Sequence, residues 1–332
     1  MHARELRGRL EARCADAALA HRVEIPVLGI RTAFRTNSAA VMQVVEEAFG
    51  EWKRLELADI DPGAPVTVRI VVHDGADERP GEIVHEQAAG GRLLIRAHAC
   101  GGISDPVRRD AAAYVSDALL ADRDNFRYGM LEALTWALLT RFDRQPFHAA
   151  GVAADDAVLL LAGASGTGKS TLAYAAARAG MDVLTDDIVF LQSTPRIRAW
   201  GARGPIRLLP EAAAQFAELA DVTPTRMHNG KMKVVAPLPA SRAPAAYDRC
   251  VICILGERRP RPVASRQSSA QLLTSVDHAG ESGFSVFADT IEPVFRALAG
   301  RGGWLLYPAT APAASLPLLR EMLAEVAPAV TT

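Results

Sequence analysis

The sequence predicts an α/β protein of two units, a smaller α/β domain over residues 1–121 and a larger one over residues 122–332. Three observations lead there. At 332 residues the chain exceeds what one small core needs and has room for two. Short apolar runs of strand length, such as Val158–Ala162 and Asp248–Leu255, alternate with longer stretches of helical period. One of those runs leads through a glycine-rich turn straight into helix-forming sequence, the strand–loop–helix unit of an α/β core.

Taken in order, residues 1–20 read as a polar, partly helical lead-in, charged throughout Met1 to Arg13 and unlike a signal peptide. Val23 to Phe34 alternates as one or two strands interrupted at Pro26 and Gly29. Asn37-Ser38 offers an N-cap for a helix from Ala39 to Trp52, with Val41, Val44, Val45 and Phe49 at helical spacing. Val66–Val72, Arg92–His98 and Ala111–Val115 read as strands, with Asp74 to Gln87 a polar, turn-rich connection. His73, His85 and His98 are too far apart in this region to suggest a metal site. Asp122 to Arg141 carries a stripe of Phe126, Met130, Leu131, Leu134 and Leu138, a long helix leading into the second domain. Phe147–Val152 and Ala157–Ala162 form two strands around an exposed turn at Ala154-Asp155-Asp156.

The next stretch carries the chemistry. Gly163-Ala164-Ser165-Gly166-Thr167-Gly168-Lys169-Ser170 fits the G-x-x-x-x-G-K-[ST] phosphate loop without departure, with helix-favouring residues from Thr171 to Ala179. Backbone N–H groups of such a turn, with the positive end of the following helix, cradle phosphate oxygens. Lys169 would reach the β- and γ-phosphates, Ser170 would hold Mg²⁺, and Gly163 through Thr171 would contact the nucleotide. Gly180 reads as the helix stop, then Val183-Leu184 and Ile188–Leu191 as short strands with Asp186-Asp187 between them. Adjacent carboxylates at such a junction are costly unless a cation or a proton transfer uses them. In extended backbone they leave on opposite faces, so one suits the metal and the other a proton from an incoming hydroxyl.

Phe147-His148-Ala149-Ala150-Gly151-Val152, the loop with its inner Ser165-Gly166, and Gly180-x-x-Val-Leu-x-Asp186-Asp187 resemble the catalytic core of HPr kinase/phosphorylase. The resemblance covers Phe147 to Leu191 and is closer to the broad group of HPr-kinase-like proteins than to the regulators of sugar transport. It implies a P-loop kinase core of the HPr kinase type, with ATP and Mg²⁺, passing the γ-phosphoryl group to a hydroxyl, typically of serine. It also implies Asp186 as general base, Asp187 with Ser170 on the metal, and His148 close to the transferring phosphate. The resembled family assembles into hexamers, so a homo-oligomer is expected. Two departures stand out. The family's Glu-x-Arg-Gly run has only Gly201-Ala202-Arg203-Gly204 here, without the acid, and the Gly-Arg-Asn segment tied to phosphorolysis has no counterpart. A kinase without the reverse reaction is expected.

Beyond the resemblance, Arg196, Arg198, Arg203 and Arg207 crowd a short basic stretch. Arg203, between glycines, is the best candidate to stabilise charge on the transferring group, whereas Arg196-Ile197-Arg198 reads as a solvated strand face. Pro210–Ala220 reads as a short amphipathic helix. Lys231 and Lys233, half of the chain's four lysines, sit beside a glycine turn that suits a phosphate or an acidic substrate group, with Lys231 the expected contact. Asp248–Leu255 is a core strand followed by a charged turn, Glu257–Arg261. A helix capped by Ser268-Ser269, a helix over Thr290–Ala299, a strand over Gly303–Pro308 and a helix over Leu316–Val326 complete the chain. In Cys250-Val251-Ile252-Cys253 the cysteines face opposite sides of a strand, which argues against a metal or redox pair.

A hydrophobic content of 49% with 23% charged residues is that of an ordinary soluble protein. A net charge of −1 gives no electrostatic case for nucleic acid or an anionic membrane. No apolar run approaches the roughly 18 residues of a membrane span, and four scattered cysteines make no disulfide framework, so the cytoplasm is the expected location. The acceptor is expected to be a protein or peptide serine. A small-molecule kinase is the alternative within the same chemistry, and a nucleotide-dependent switch ATPase the alternative outside it. The last lacks an apolar strand ending in Asp-Glu to polarise water.

Overall fold

The computed structural model describes residues 8, 10, 12, 17–74, 82–201, 204–227, 230–238, 245–275 and 288–326. It is a mixed α/β protein whose chain divides into two units, Met1–Phe142 and Asp143–Thr332. The division falls later than the expected 121/122 because the helical stretch after residue 116 packs on the first unit's sheet.

In the first unit, strands β1 (His21–Val27), β2 (Ile30–Thr36), β3 (Val66–His73), β4 (Val84–Ala88), β5 (Arg92–Ala97), β6 (Cys100–Asp105) and β7 (Asp110–Ser116) form one sheet, ordered β1-β2-β3-β7-β6-β5-β4. The pairs β2–β3 and β3–β7 are parallel and the others antiparallel. The β1–β2 hairpin turns through Leu28 (φ 52°) and Gly29 (φ 76°), the left-handed pair that suits the twist of a two-residue turn. The helix Ala39–Phe49 buries Val41, Val44, Val45 and Phe49, and Phe49 stacks on Phe34 at 5.1 Å. Ser38 holds the N-cap position but makes no side-chain cap bond; Asn37 instead clamps the Val72 backbone through both amide atoms, at 2.8 and 2.9 Å.

Two strands escape the sequence reading. Exposed β4 lies within the stretch expected as a connection. Buried β6 carries Gly101-Gly102 where strand formers would be looked for. Its glycine has a reason, since a Cβ on Gly102 would come within 3.0 Å of Leu134 and Met130, so the helical layer lies directly on the strand. That layer runs through Asp117–Ala121, a π-helical turn over Asn125–Glu132, and Ala133–Thr140.

The second unit is built on strands β8 (Gln145–Ala154), β9 (Ala157–Ala162), β10 (Asp182–Thr185), β11 (Ile188–Gln192), β12 (Arg198–Trp200), β13 (Ile206–Leu208), β14 (Thr225–Arg226), β15 (Met232–Ala236), β16 (Ala246–Tyr247), β17 (Arg249–Leu255), β18 (Val263–Gln267) and β19 (Gly303–Tyr307). The main sheet runs β16-β12-β11-β8-β9-β17-β19-β18, with β10 also on β8, and β13-β15-β14 form a small separate sheet. Its centre is parallel, β9 with β17 and β17 with β19, and its flanks are antiparallel.

Both faces of that centre are covered, which is why β9 and β17 read as unbroken apolar runs. Leu159, Leu161, Val251, Cys253 and Leu255 join one core with the helices Lys169–Arg178 and Leu316–Ala324. Val158, Leu160, Cys250, Ile252 and Ile254 join the other with the helices Ser269–Ser275 and Ala288–Ala299. Cys250 and Cys253 therefore lie in different cores, and burial pushes each thiol up to about 12.

Arg198 departs from the solvated face expected of it. Its guanidinium is buried and grips Asp248 (Nε to Oδ1 2.5 Å), with Arg196 on the same carboxylate at 2.8 Å. Among the described residues no helix is long and apolar enough to cross a membrane.

Candidate functional site

Parallel strands β9 and β17 end side by side, and the loops leaving their carboxyl ends open into one cavity of about 680 Å³. Crevices beyond the carboxyl ends of parallel strands are where open α/β sheets bind ligands. The loop after β9 begins at Gly163, which packs against the last carbonyl of β17, and turns through Gly166 and Gly168, all three at positive φ. Thr167 Oγ1 donates to Ala164 O at 2.9 Å and stiffens the turn. Lys169 is buried, and its ammonium folds back onto the loop's own carbonyls, 2.8 Å to Gly163 O and 3.3 Å to Ala164 O. The helix starting at Lys169 has Gly168 at its cap, with no side-chain cap bond and no acidic residue in its first turn. Its positive end thus faces the cavity uncompensated.

Beside the helix start stand the paired carboxylates. His148 on β8 pairs across with Ile188 on β11, which brings its ring to residue 187; Nδ1 lies 3.2 Å from Asp187 Oδ1, an ion pair when the imidazole is protonated. Asp187 keeps 52% of its side chain exposed. His148 holds its carboxyl below the usual carboxylate range; burial opposes this, and Lys233 and Arg207 add to it. Asp186 turns the other way, and its Oδ2 accepts the Arg207 backbone N–H at 2.8 Å. The residue reaches the cavity surface, yet enough protein surrounds the carboxyl that desolvation dominates its proton affinity. Burial pushes it up, the Arg207 N–H pulls it down, and the neighbouring Asp187 charge raises it further. The two aspartates take separate partners, as expected, but from a bend between β10 and β11 and not from the extended backbone the sequence suggested. Ser170 Oγ lies 3.5 Å from the Asp186 carbonyl, which sets the helix start against the aspartate turn.

The cavity gathers residues 165–171, His148, Asp186, Asp187 and Lys231 from the sequence-predicted set; Gly163 and Ala164 form the root of the loop. Arg203 lies outside the described residues. Sequence reasoning missed Lys233, Arg207 and Arg258 as cavity residues. For Lys233 the signal was present, since it stands two residues from Lys231 beside the same glycine turn. Arg258 arrives on the turn after β17, with its guanidinium 2.9 Å from where a Gly168 Cβ would stand.

Among the described residues no group of three or more His, Cys, Asp and Glu side chains could hold a metal by itself. The donor set of Ser170 and Asp187 fits Mg²⁺ of another kind, one bound by one or two protein oxygens and completed by water and phosphate. A scan against protein-family models finds no match to the chain, and neither does a search of curated proteins.

Proposed function

We propose that the chain is an ATP-dependent kinase that transfers the γ-phosphoryl group to a hydroxyl, most simply a serine of a protein or peptide. One observation carries this reading: a buried lysine in a glycine loop and the Asp186 carboxylate, held by the Arg207 N–H, line the same cavity. Lys169 and the uncapped helix start bind the triphosphate, and Lys169 leaves the loop carbonyls to do so. Ser170 and Asp187 hold the metal, with His148 fixing the Asp187 carboxylate. When bound, Mg²⁺ neutralises charge on the β- and γ-phosphate oxygens.

Asp186 is the base. Arg207 N–H occupies Oδ2, which leaves Oδ1 to take the acceptor's proton as its oxygen bonds to the γ-phosphorus and the bond to the bridging oxygen breaks, releasing ADP. An acid whose proton affinity is raised by burial is better matched to that task near neutral pH than an ordinary aspartate. ATP consumption with and without a hydroxyl acceptor tests the class, because a switch ATPase turns over alone and a kinase waits. Asp186→Asn should keep ATP binding and lose transfer; a variant that still transfers at the wild-type rate removes Asp186 from the mechanism.

A further inference from the structure

Resting on the kinase reading, the cavity's second wall points to the nature of the acceptor. Arg207 on β13 lies opposite Val235 on β15, and Lys233 follows at a two-residue step, so both occupy one face of this small sheet, while Lys231, just before β15, also lines the cavity. The other face, Ile206, Leu208, Val234 and Ala236, is buried in the core, which fixes the register and forces the basic face toward the cavity.

The charges of Arg207 and Lys233 are poorly explained by the protein's own acids. Among the described residues neither Arg207 nor Lys233 closes an ion pair with a carboxylate; their attraction to Asp186 and Asp187 acts only at a distance. Nor does the donor nucleotide account for them. Its phosphates are already provided for by Lys169, the loop and the helix start, with the Arg258 guanidinium beside Gly168. Arg207 also touches Asp186 through its own backbone, so its side chain starts beside the atom that must meet the acceptor hydroxyl.

We propose that the acceptor carries a carboxylate or phosphate next to its reactive hydroxyl, and that Arg207 and Lys233 bind this anion and set acceptor specificity. Such a group occurs in a serine peptide with an acidic neighbour and in a small hydroxy acid, and matched acceptors separate the two. With radiolabelled ATP, one arm compares serine peptides carrying Asp, Ala or Lys beside the serine. The other compares glycerate, glycerol and ethanolamine.

In at least one arm the anionic member should exceed the neutral one by about tenfold in kcat/KM, ~1.4 kcal/mol. Lys233→Met should level the three acceptors and Lys233→Glu should favour the cationic one, a reversal that loss of folding cannot produce. Neutral acceptors used equally well, no transfer to any anionic acceptor by a chain that binds a fluorescent ATP analogue, or a uniform loss in Lys233→Met with the ranking intact would each overturn the proposal. Failure to bind the ATP analogue instead counts against the kinase reading itself.

Discussion

Two glycines of the loop make a matched pair for testing how the site is held. At Gly163 (φ 150°) an added Cβ would stand 2.9 Å from the Leu255 carbonyl, backbone at the end of a central strand. At Gly166 (φ 87°) the same carbon would meet nothing within 4 Å. Both alanine substitutions carry a conformational penalty, about 1–2 kcal/mol for a left-handed residue. Only Gly163→Ala adds a steric one, and its obstacle is a carbonyl tied to the parallel β9–β17 pairing. Overpacking of this kind costs about 1–3 kcal/mol, so Gly163→Ala should destabilise by ~2–5 kcal/mol against ~1–2 for Gly166→Ala.

The chain has two units, so a global denaturation curve mixes two transitions and blurs the difference. Amide hydrogen exchange read on peptides covering β9 and β17 isolates the relevant strands. There Gly163→Ala should exchange about 30-fold faster than Gly166→Ala, the equivalent of a gap of about 2 kcal/mol, the middle of the steric range. Equal protection in the two variants would falsify the claim that the loop root is wedged against β17.

Three further outcomes follow from named contacts. Lys169→Met should change stability by no more than ~1 kcal/mol, because losing ammonium–carbonyl bonds is offset by no longer burying a cation; calorimetry should nonetheless show nucleotide affinity reduced by about a hundredfold or more, through loss of charge-assisted bonds to phosphate. Asp248→Asn should cost about 2–3 kcal/mol, short of full burial because Asp248 keeps 25% of its side chain exposed while Arg198 keeps 11%; the fluorescence of Trp200, 5.2 Å from that guanidinium, reports it. Asp187→Asn and Asp186→Asn should show opposite pH profiles in urea midpoints. Asp187, held low by His148, stabilises above the usual carboxylate range and loses this as pH falls, so its variant is weaker at neutral pH and the gap closes in acid. Asp186, raised by burial, costs stability as pH rises through its raised value, so its variant is the stronger one at neutral pH.

The parts of this molecule that announce themselves in sequence are those where one local rule acts alone. The β9 run, the glycine turn and the helix after it needed no tertiary information. Where two rules competed, the sequence misled. Gly101-Gly102 reads as a break until the helical layer above Gly102 is seen. Arg198 reads as solvated until Asp248, fifty residues on, is brought to it. Arg258 gave no sign of belonging to the cavity, because only the parallel pairing of β17 with β9 carries its turn to the loop. The domain boundary was missed for a related reason: an amphipathic stripe states that a helix is half-buried and not which sheet it covers.

The divergence of the two aspartates has its origin one layer further back, in the register of β8. This single ten-residue strand pairs in tandem with β10 through Gly151–Ala153 and with β11 through Gln145–His148. An irregularity at Val183/Thr185 offsets β10 from the line that β11 continues, and residues 186 and 187 fall in the gap between the two ladders. Their backbone is bent there rather than strand-paired, so the carboxylates are free to take separate partners, Asp187 the histidine at the edge of its own ladder and Asp186 the N–H of β13. One consequence is that β13 has two roles that cannot be separated: Arg207 lends its backbone to position Asp186 and its side chain to the cavity wall. Replacing the Arg207 side chain leaves the N–H bond to Asp186 in place but removes a charge that also lowers the Asp186 carboxyl, so a substitution there moves the proton affinity of Asp186 and the charge of the cavity wall together.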